Sequence, residues 1–261
     1  MSINAKRLIA NFKNLGLWTC LYVTNIEVGA ILVFDLNRCK SGILGIVAYN
    51  LFSAYTFQIL AFTKENWMLT NTTNIYFVRH ALPDYSWADD AMMPLTQVGR
   101  DNSLAVLDVL KDISFDFCIS SPYKRTLQTI EPLVSEKKLK VHTDERLKER
   151  VRGDIGENGN LLLKKRWENF DFHEKNGESM NSLQQRNMKV LSKILEQHQG
   201  ETILFSTHGA ALSAMLNHFD NEFGYSDFIR LQCFTPYVLK ISFDENNKIV
   251  DKKEVLIIDK K

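Results

Sequence analysis

Two histidines with catalytic potential directly follow strand-like runs of the sequence. The apolar run 74–78 leads into Arg79 and His80, and a second run, 202–207, leads into His208. In an open α/β sheet, ligands bind at the edge formed by the carboxyl ends of the strands. A guanidinium binds phosphate oxygens through paired hydrogen bonds, and a neutral imidazole can attack phosphorus or move a proton. The two strand ends therefore indicate a site for phosphoryl transfer.

Six short motifs share this part of the chain. In order they are Phe77-Val78-Arg79-His80, Leu95-Thr96-Gln97-Val98-Gly99, Ser121-Pro122-Tyr123-Lys124-Arg125-Thr126-Leu127-Gln128-Thr129, Arg146-Leu147-Lys148-Glu149-Arg150, Gly177-Glu178-Ser179 with Arg186, and Ser206-Thr207-His208-Gly209. Together they resemble the histidine phosphatase superfamily, which includes the cofactor-dependent phosphoglycerate mutases and many phosphomonoesterases. The resemblance extends from about Asn74 to about Phe243. One departure is Ala81, where the family usually has glycine; alanine adds only a methyl group, so we expect activity to survive.

The chemistry of phosphoryl transfer assigns a role to five residues of these motifs, and the resemblance implies the same roles. His80 is the predicted nucleophile, which forms a phosphohistidine. Arg79 and Arg125 would clamp the equatorial phosphoryl oxygens, a task suited to the planar guanidinium. His208 would donate a further hydrogen bond to the transferring group. Glu149 would protonate the leaving oxygen and then deprotonate the attacking water.

The segment around Glu149 allows a second interpretation. It lies in the charge-rich run 145–152, and such a run is also typical of a solvated surface segment. Arg150, which follows Glu149, is predicted from the resemblance to bind the remote part of the substrate. The scheme uses no metal ion and no cofactor, because two arginines and two histidines supply the positive field. The expected partner is a small phosphorylated substrate.

Composition argues against several other classes of protein. The chain has 261 residues, of which 45% are apolar, enough for one sizeable core. Its net charge of +1 gives no sign of a nucleic-acid-binding surface, so no nucleic-acid partner is expected. The four cysteines show no Cys-x-x-Cys spacing, which fits a reducing compartment and predicts a cytoplasmic location. The oligomeric state is not determined by these features.

Strand and helix patterns alternate after residue 70. Strands are predicted at 74–79, 115–120, 139–143, 202–207 and 237–243, and helices at 96–111, 124–137, 179–198 and 209–219. This alternation predicts the α/β class, as a three-layer α/β/α sandwich with a mostly parallel central sheet. The resemblance implies the same phosphoglycerate mutase-like fold, and it also implies that 150–178 forms a cap that shapes substrate choice.

The first 67 residues form a separate apolar extension ahead of a histidine phosphatase domain predicted at 68–261. Within them, 41–62 is a run of 22 residues without a charge, long enough to span a bilayer. Three interpretations stay open: a membrane anchor through 41–62, an extra helical element packed on the domain, and translated leader sequence ahead of a start at Met68. The protein is therefore expected to contact a membrane only if 41–62 is a genuine span.

The predicted activity is hydrolysis of small phosphomonoesters. The stretch 81–90 lacks the segment that mutases of the family carry after their first motif, and the domain that begins at Met68 is compact. Phosphoglycerate mutase activity is the alternative among enzymes. A non-catalytic module that binds a phosphorylated ligand is the alternative of another class, although such a module has no chemical need for all five predicted residues.

Overall fold

The structure is a computed structural model that describes residues 22–25, 30–33, 72–154 and 159–260 of the chain. The chain divides into two units, Met1–Glu65 and Asn66–Lys261. In the first unit, strands β1 (Tyr22–Asn25) and β2 (Ala30–Val33) pair antiparallel. Both the run 41–62 and Met68 lie outside the described residues, so the predicted division into 1–67 and 68–261 stays a prediction. Among the residues that are described, no helix has the length and apolar character needed to cross a membrane.

The described part of the second unit contains six strands and six helices. The strands are β3 (Thr73–Arg79), β4 (Phe117–Ser120), β5 (His142–Thr143), β6 (Thr202–Thr207), β7 (Phe234–Phe243) and β8 (Ile249–Asp259). The helices are α1 (Gln97–Leu110), α2 (Lys124–Lys137), α3 (Gly159–Glu168), α4 (Met180–Gln197), α5 (Gly209–Phe219) and α6 (Tyr225–Gln232), and a 3-10 turn covers Glu145–Leu147.

The six strands form one sheet in the order β5-β4-β6-β3-β7-β8. Three of the five pairings are parallel, and the pairings of β7 with β3 and with β8 are antiparallel. β3 and β6 lie side by side with Arg79 opposite Thr207. This register brings His80 and His208 to the same edge of the sheet, where the backbone N–H of His80 donates to the Thr207 carbonyl at 3.1 Å. The predicted α/β class with a mostly parallel sheet is confirmed.

Successive side chains of a strand point to opposite faces of the sheet. Alternate residues of the central strands are therefore buried in two hydrophobic cores, one on each face. On one face, Ile75 and Phe77 are buried with residues of α4 and α5, among them Leu191, Leu195, Leu212 and Met215. On the other face, Tyr76 and Val78 are buried with residues of α1 and α2, among them Val106, Leu110, Ile130 and Leu133. Helices thus cover both faces of the sheet, as in a three-layer sandwich.

The loop after β3 is fixed by helix α1. Thr96 caps this helix, since its Oγ1 accepts a hydrogen bond from the Gly99 N–H at 3.0 Å. The Leu82 carbonyl accepts from the Thr96 N–H at 3.0 Å. A Cβ on Gly99 would lie 2.2 Å from the Leu82 oxygen, so a residue with a side chain cannot be accommodated there without moving the backbone. The Leu-Thr-x-x-Gly motif therefore fixes the position of Leu82, two residues after His80 in the chain.

Three elements of the second unit were not predicted from the sequence. The strand predicted at 237–243 begins earlier, at Phe234. It is followed by the unpredicted strand β8, which pairs with it antiparallel and whose largely exposed residues include Lys252, Lys253 and Glu254. An edge strand that faces water lacks the apolar alternation on which strand prediction depends. Helices α3 and α6, of 10 and 8 residues, are also short for a periodic signal.

Candidate active site

His80 lies at the carboxyl end of β3 and borders a cavity of about 290 Å³. Its Nδ1 is 2.8 Å from the carbonyl oxygen of Ala81. Since a carbonyl can only accept, Nδ1 carries the proton, and Nε2 is left with a free lone pair. Burial, together with the positive charges of Arg125 and Arg79, holds the pKa of His80 well below its ordinary value of 6.5. The imidazole is therefore neutral near pH 7 and can act as a nucleophile.

Arg79 is buried beside His80 and is fixed at one end of its guanidinium. Its Nη1 donates to the carbonyl oxygens of Leu231 at 2.5 Å and Phe234 at 2.6 Å. Its Nε is buried and has no hydrogen-bond partner among the described residues. A Cβ on Gly209 would lie 3.1 Å from that Nε, so glycine leaves room along this side of the guanidinium. An oxyanion placed there would satisfy the unpaired donor.

Arg125 lies in the first turn of helix α2 and is also buried in the cavity wall. Its Nη1 donates to the backbone carbonyl of Asp90 at 2.5 Å and lies 3.2 Å from the Asp90 carboxylate. Its guanidinium also stacks on the ring of Tyr123, 4.8 Å from the centroid. These contacts fix the guanidinium of Arg125 at the wall of the cavity that Arg79 also borders. Two guanidinium groups at one cavity can bind the oxygens of one phosphoryl group.

His208 lies behind His80, with 5.4 Å between the two ring centroids. It is fully buried and precedes helix α5 as its N-cap residue. Its Nε2 is 2.7 Å from the Ser121 hydroxyl, and its Nδ1 has no hydrogen-bond partner within the described part of the chain. Burial and the charge of Arg125 hold the pKa of His208 well below 6.5 as well. Both imidazoles are thus neutral in the free protein.

Glu149 borders the cavity and approaches the start of helix α5. Its Oε1 accepts from the N–H groups of Arg150 at 2.9 Å and Ala211 at 3.2 Å, and its Oε2 accepts from the N–H of Ala210 at 3.2 Å. The positive end of a helix dipole favours a carboxylate at this position. The charged run 145–152 therefore directs this carboxylate into the cavity instead of into solvent.

Arg150 borders the same cavity, but its guanidinium is already occupied by protein groups. It donates to the carboxylate of Glu174 at 3.1 and 3.2 Å, to the carbonyl of Arg152 at 3.2 Å and to the carbonyl of Glu178. All six predicted site residues thus lie at or directly behind one cavity, whereas the predicted substrate contact of Arg150 has competing partners. The described residues contain no group of three or more His, Cys, Asp or Glu side chains able to hold a metal ion.

Comparison with known proteins places this arrangement in a family. The family model described as the histidine phosphatase superfamily (branch 1) matches residues 75–255. The chain belongs to the histidine phosphatase superfamily. The resemblance seen in the six motifs is therefore confirmed.

Individual relatives of this histidine phosphatase are distant in sequence. A Bacillus subtilis (strain 168) protein named as the uncharacterized phosphatase PhoE is 28% identical over 149 residues, which cover 55% of this chain and 76% of that protein. Among solved structures, YhfR of Bacillus stearothermophilus is 22% identical with a TM-score of 0.54, over 72% of this chain and 96% of its own. A mycobacterial glucosyl-3-phosphoglycerate phosphatase is 17% identical with a TM-score of 0.56, over 71% and 98%. The likeness to the two structures shows the fold.

The motif around Arg125 is hydrogen-bonded to the Leu95 motif and to the residue that follows His80 in this histidine phosphatase. The Gln128 side chain accepts from the Leu95 N–H at 2.8 Å, and the Thr129 hydroxyl accepts from the Ala81 N–H at 2.8 Å. Ala81 is fully buried, and it is not among the described residues with positive φ. Its φ therefore lies in the range that residues with a side chain ordinarily adopt, so alanine in place of the family's usual glycine does not incur the backbone strain of a positive φ.

Arg186 of helix α4 fixes the segment that carries Glu149. Its guanidinium donates to the carbonyl oxygens of Arg146 at 2.6 Å, Lys148 at 2.6 Å and Glu149 at 3.1 Å. Glu178 pairs with the same guanidinium at 2.7 Å. This role of Arg186 cannot be predicted from the sequence, because bonds from one helix to three backbone carbonyls about forty positions away leave no local signal.

Lys260, one residue beyond β8, adds a positive charge to the cavity wall that the sequence did not indicate. Its Nζ lies 4.8 Å from the centroid of the Tyr85 ring, and its charge contributes to lowering the pKa of His80. We expect Lys260→Met to raise the pKa of His80, because one of the charges that disfavour the imidazolium is removed. The neutral imidazole is the reactive form and is lost as pH falls through this pKa, so the acid limb of kcat/KM should move to higher pH.

This shift is measured by comparing the pH profiles of aryl phosphate hydrolysis by the wild-type protein and the variant. The ionisation of the substrate is the same in both profiles and does not affect the difference. Lys253→Met removes the same charge from an exposed position of β8 and should leave the acid limb in place. An acid limb of Lys260→Met that coincides with that of Lys253→Met would contradict the prediction.

Proposed function

We propose that this histidine phosphatase hydrolyses small phosphomonoesters through a phosphohistidine on His80. The observation that carries the proposal is the free Nε2 of His80, at the wall of a cavity that it shares with Arg79, Arg125 and Glu149. A pocket that only held a phosphorylated ligand would need the cations but neither a free imidazole nitrogen nor a carboxylate.

The reaction proceeds in two displacements at phosphorus. In the first, Nε2 of His80 attacks phosphorus, the N–P bond forms, and the bond to the ester oxygen breaks while Glu149 donates its proton to that oxygen. In the second, Glu149 takes a proton from water, the water oxygen attacks phosphorus, and the N–P bond breaks to release inorganic phosphate. Arg79 and Arg125 neutralise the equatorial oxygens in both steps, and His208 donates to the transferring group.

The names of the relatives support the phosphatase class, since both PhoE and the mycobacterial structure are named phosphatases. The cytoplasmic location and the independence from metal ions that we infer from the sequence stay predictions. A mutase would return the phosphoryl group to its product, whereas the phosphatase that we propose transfers it to water.

The test is hydrolysis of an aryl phosphate by the full chain in excess chelator, with release of inorganic phosphate as the readout. A second measurement is mass spectrometry of the protein after an alkaline quench, because a phosphohistidine survives base. Turnover in chelator together with the mass of one added phosphoryl group is the expected result. A folded protein that binds phosphate without turning over any ester would contradict the proposal, and conversion of 3-phosphoglycerate into its isomer without phosphate release would establish the mutase instead.

A further inference from the structure

A buried cluster of three charged side chains lies in the cap region beside the active-site cavity. The carboxylate of Glu174 is shared by two arginines: its Oε2 accepts from Arg150 at 3.1 and 3.2 Å, and its Oε1 accepts from Arg166 Nε at 2.6 Å. Relative exposures are 4% for Arg150, 5% for Glu174 and 7% for Arg166. Burial raises the pKa of Glu174, but a backbone hydrogen bond, the hydrogen bond from Arg166 and the charges of Arg150 and Arg166 together hold it below its ordinary value, so the carboxylate is ionised. The cluster therefore carries a net charge of +1 in a buried place.

A buried donor of this cluster has no partner among the described residues. The backbone carbonyls of Arg152 and Glu178 accept further bonds from Arg150. Arg166, in contrast, has a buried Nη2 with no hydrogen-bond partner within the described part of the chain. A buried charged donor that is not hydrogen-bonded costs free energy, and buried charges in proteins are generally paired. Within the described part of the chain, the cluster thus has no anion that pairs with Arg166 Nη2.

The cavity that would supply this anion is the one that contains His80. Arg166 borders it from helix α3, and Trp167 and Phe228 add apolar surface to the same wall. Six cationic side chains border the cavity, whereas among the described residues Glu149 is the one carboxylate that does so. A phosphoryl group held by Arg79 and Arg125 leaves the charge on the cap side uncompensated.

We propose that the substrate carries a second anionic group, a carboxylate or a second phosphate, and that Arg166 binds it. This inference rests on the proposed function and names its substrate class: phosphomonoesters with an additional anion. Arg150 then acts through Glu174 as a positioning residue for Arg166, which replaces the direct contact predicted for Arg150. Glu174 holds the Arg166 guanidinium through its Nε, which leaves Nη2 without a partner among the described residues.

The test compares pairs of substrates that differ in the second anion. The pairs are 3-phosphoglycerate with glycerol 3-phosphate, and fructose 1,6-bisphosphate with fructose 6-phosphate. For the full chain, kcat/KM should be at least about tenfold higher for the doubly anionic member of one pair, as expected for a charge-assisted bond. Arg166→Gln should remove that preference, chiefly through KM, and should leave glycerol 3-phosphate, fructose 6-phosphate and aryl phosphate unaffected.

Lys164→Gln is the matched control. Lys164 lies on the same helix and is 61% exposed, so removing its charge should leave the preference intact. If Arg166→Gln fails to fold, Arg166→Lys keeps the charge but loses the second nitrogen, and it should show a partial loss confined to the doubly anionic substrates. Equal losses on both members of a pair would assign Arg166 a structural role and overturn the inference.

Failure of this inference and failure of the proposed function give different results. Turnover of aryl phosphate without a preference in either pair overturns the second site alone. If no ester is turned over, calorimetry of 3-phosphoglycerate and glycerol 3-phosphate binding to the wild-type full chain decides the question. Tighter binding of 3-phosphoglycerate that is lost in Arg166→Gln supports the second site, and equal binding of the two compounds overturns it.

Discussion

Replacing His80 with alanine is expected to lower kcat for aryl phosphate hydrolysis by about 10,000-fold or more, the scale of loss seen when a covalent nucleophile is removed. The free Nε2 of His80 has no substitute in the second imidazole, because His208 Nε2 is 2.7 Å from the Ser121 hydroxyl. The variant should also fail to accumulate the phosphoenzyme. Steady-state assays and mass spectrometry after an alkaline quench measure the two effects separately.

The control for this variant is His218→Ala. His218 is exposed near the end of helix α5, the helix that His208 caps, so the change removes an imidazole without reaching the cavity. Its activity should match that of the wild-type protein. A folded His80→Ala protein that still formed a phosphoenzyme would place the nucleophile elsewhere, and His208 would be the next residue to replace.

The position of both histidines could be predicted because it depends on local patterns. Each histidine follows a run of apolar residues that reads as a buried strand, and the carboxyl ends of neighbouring parallel strands meet at one edge. The register in which Arg79 faces Thr207 is what this rule requires. Arg125 and Glu149 could be predicted as site residues because each lies within a short motif that resembles a motif of the family.

The contacts that hold these residues could not be predicted, because they join distant parts of the chain. Arg79 is fixed by the carbonyl oxygens of Leu231 and Phe234, more than 150 positions away. Asp90, the partner of Arg125, lies in the loop between β3 and α1, where no periodic pattern indicates which side chain will approach the cavity. Backbone carbonyls are present at every residue, so sequence alone does not distinguish the ones that bind a guanidinium.

The cap side of the cavity was the least predictable part of the site. Arg166 lies on helix α3, which is short and weakly amphipathic, and Lys260 follows an exposed edge strand. Charged residues in such elements look like ordinary surface residues in the sequence. Their proximity to the site is visible in the structure, because Arg166 is buried against Glu174 and both cations border the cavity of His80.

Glu149→Gln is expected to affect substrates according to their leaving groups. For an alkyl phosphate, kcat/KM should fall by about 100- to 10,000-fold, the usual contribution of a general acid. For nitrophenyl phosphate the fall should be about tenfold or less, since nitrophenolate is stable enough to leave without a proton. The comparison uses kcat/KM because this parameter reports the steps up to formation of the phosphohistidine.

The same variant should also slow the second displacement, in which Glu149 takes a proton from water. With nitrophenyl phosphate the first step remains fast, so phosphohistidine should accumulate, and rapid mixing should show a burst of nitrophenolate followed by slow turnover. Glu145→Gln is the control, because Glu145 lies exposed in the neighbouring 3-10 turn. It should leave both substrates unaffected.

Equal losses on the alkyl and aryl substrates would point to a different role for Glu149. Its carboxylate accepts hydrogen bonds from the N–H groups of Ala210 and Ala211, so it also fixes the first turn of helix α5. That turn directly follows His208, and a helix end that shifted would move the second imidazole away from the phosphoryl group whichever leaving group the substrate carried. The dependence on the leaving group therefore separates proton transfer by Glu149 from its support of His208.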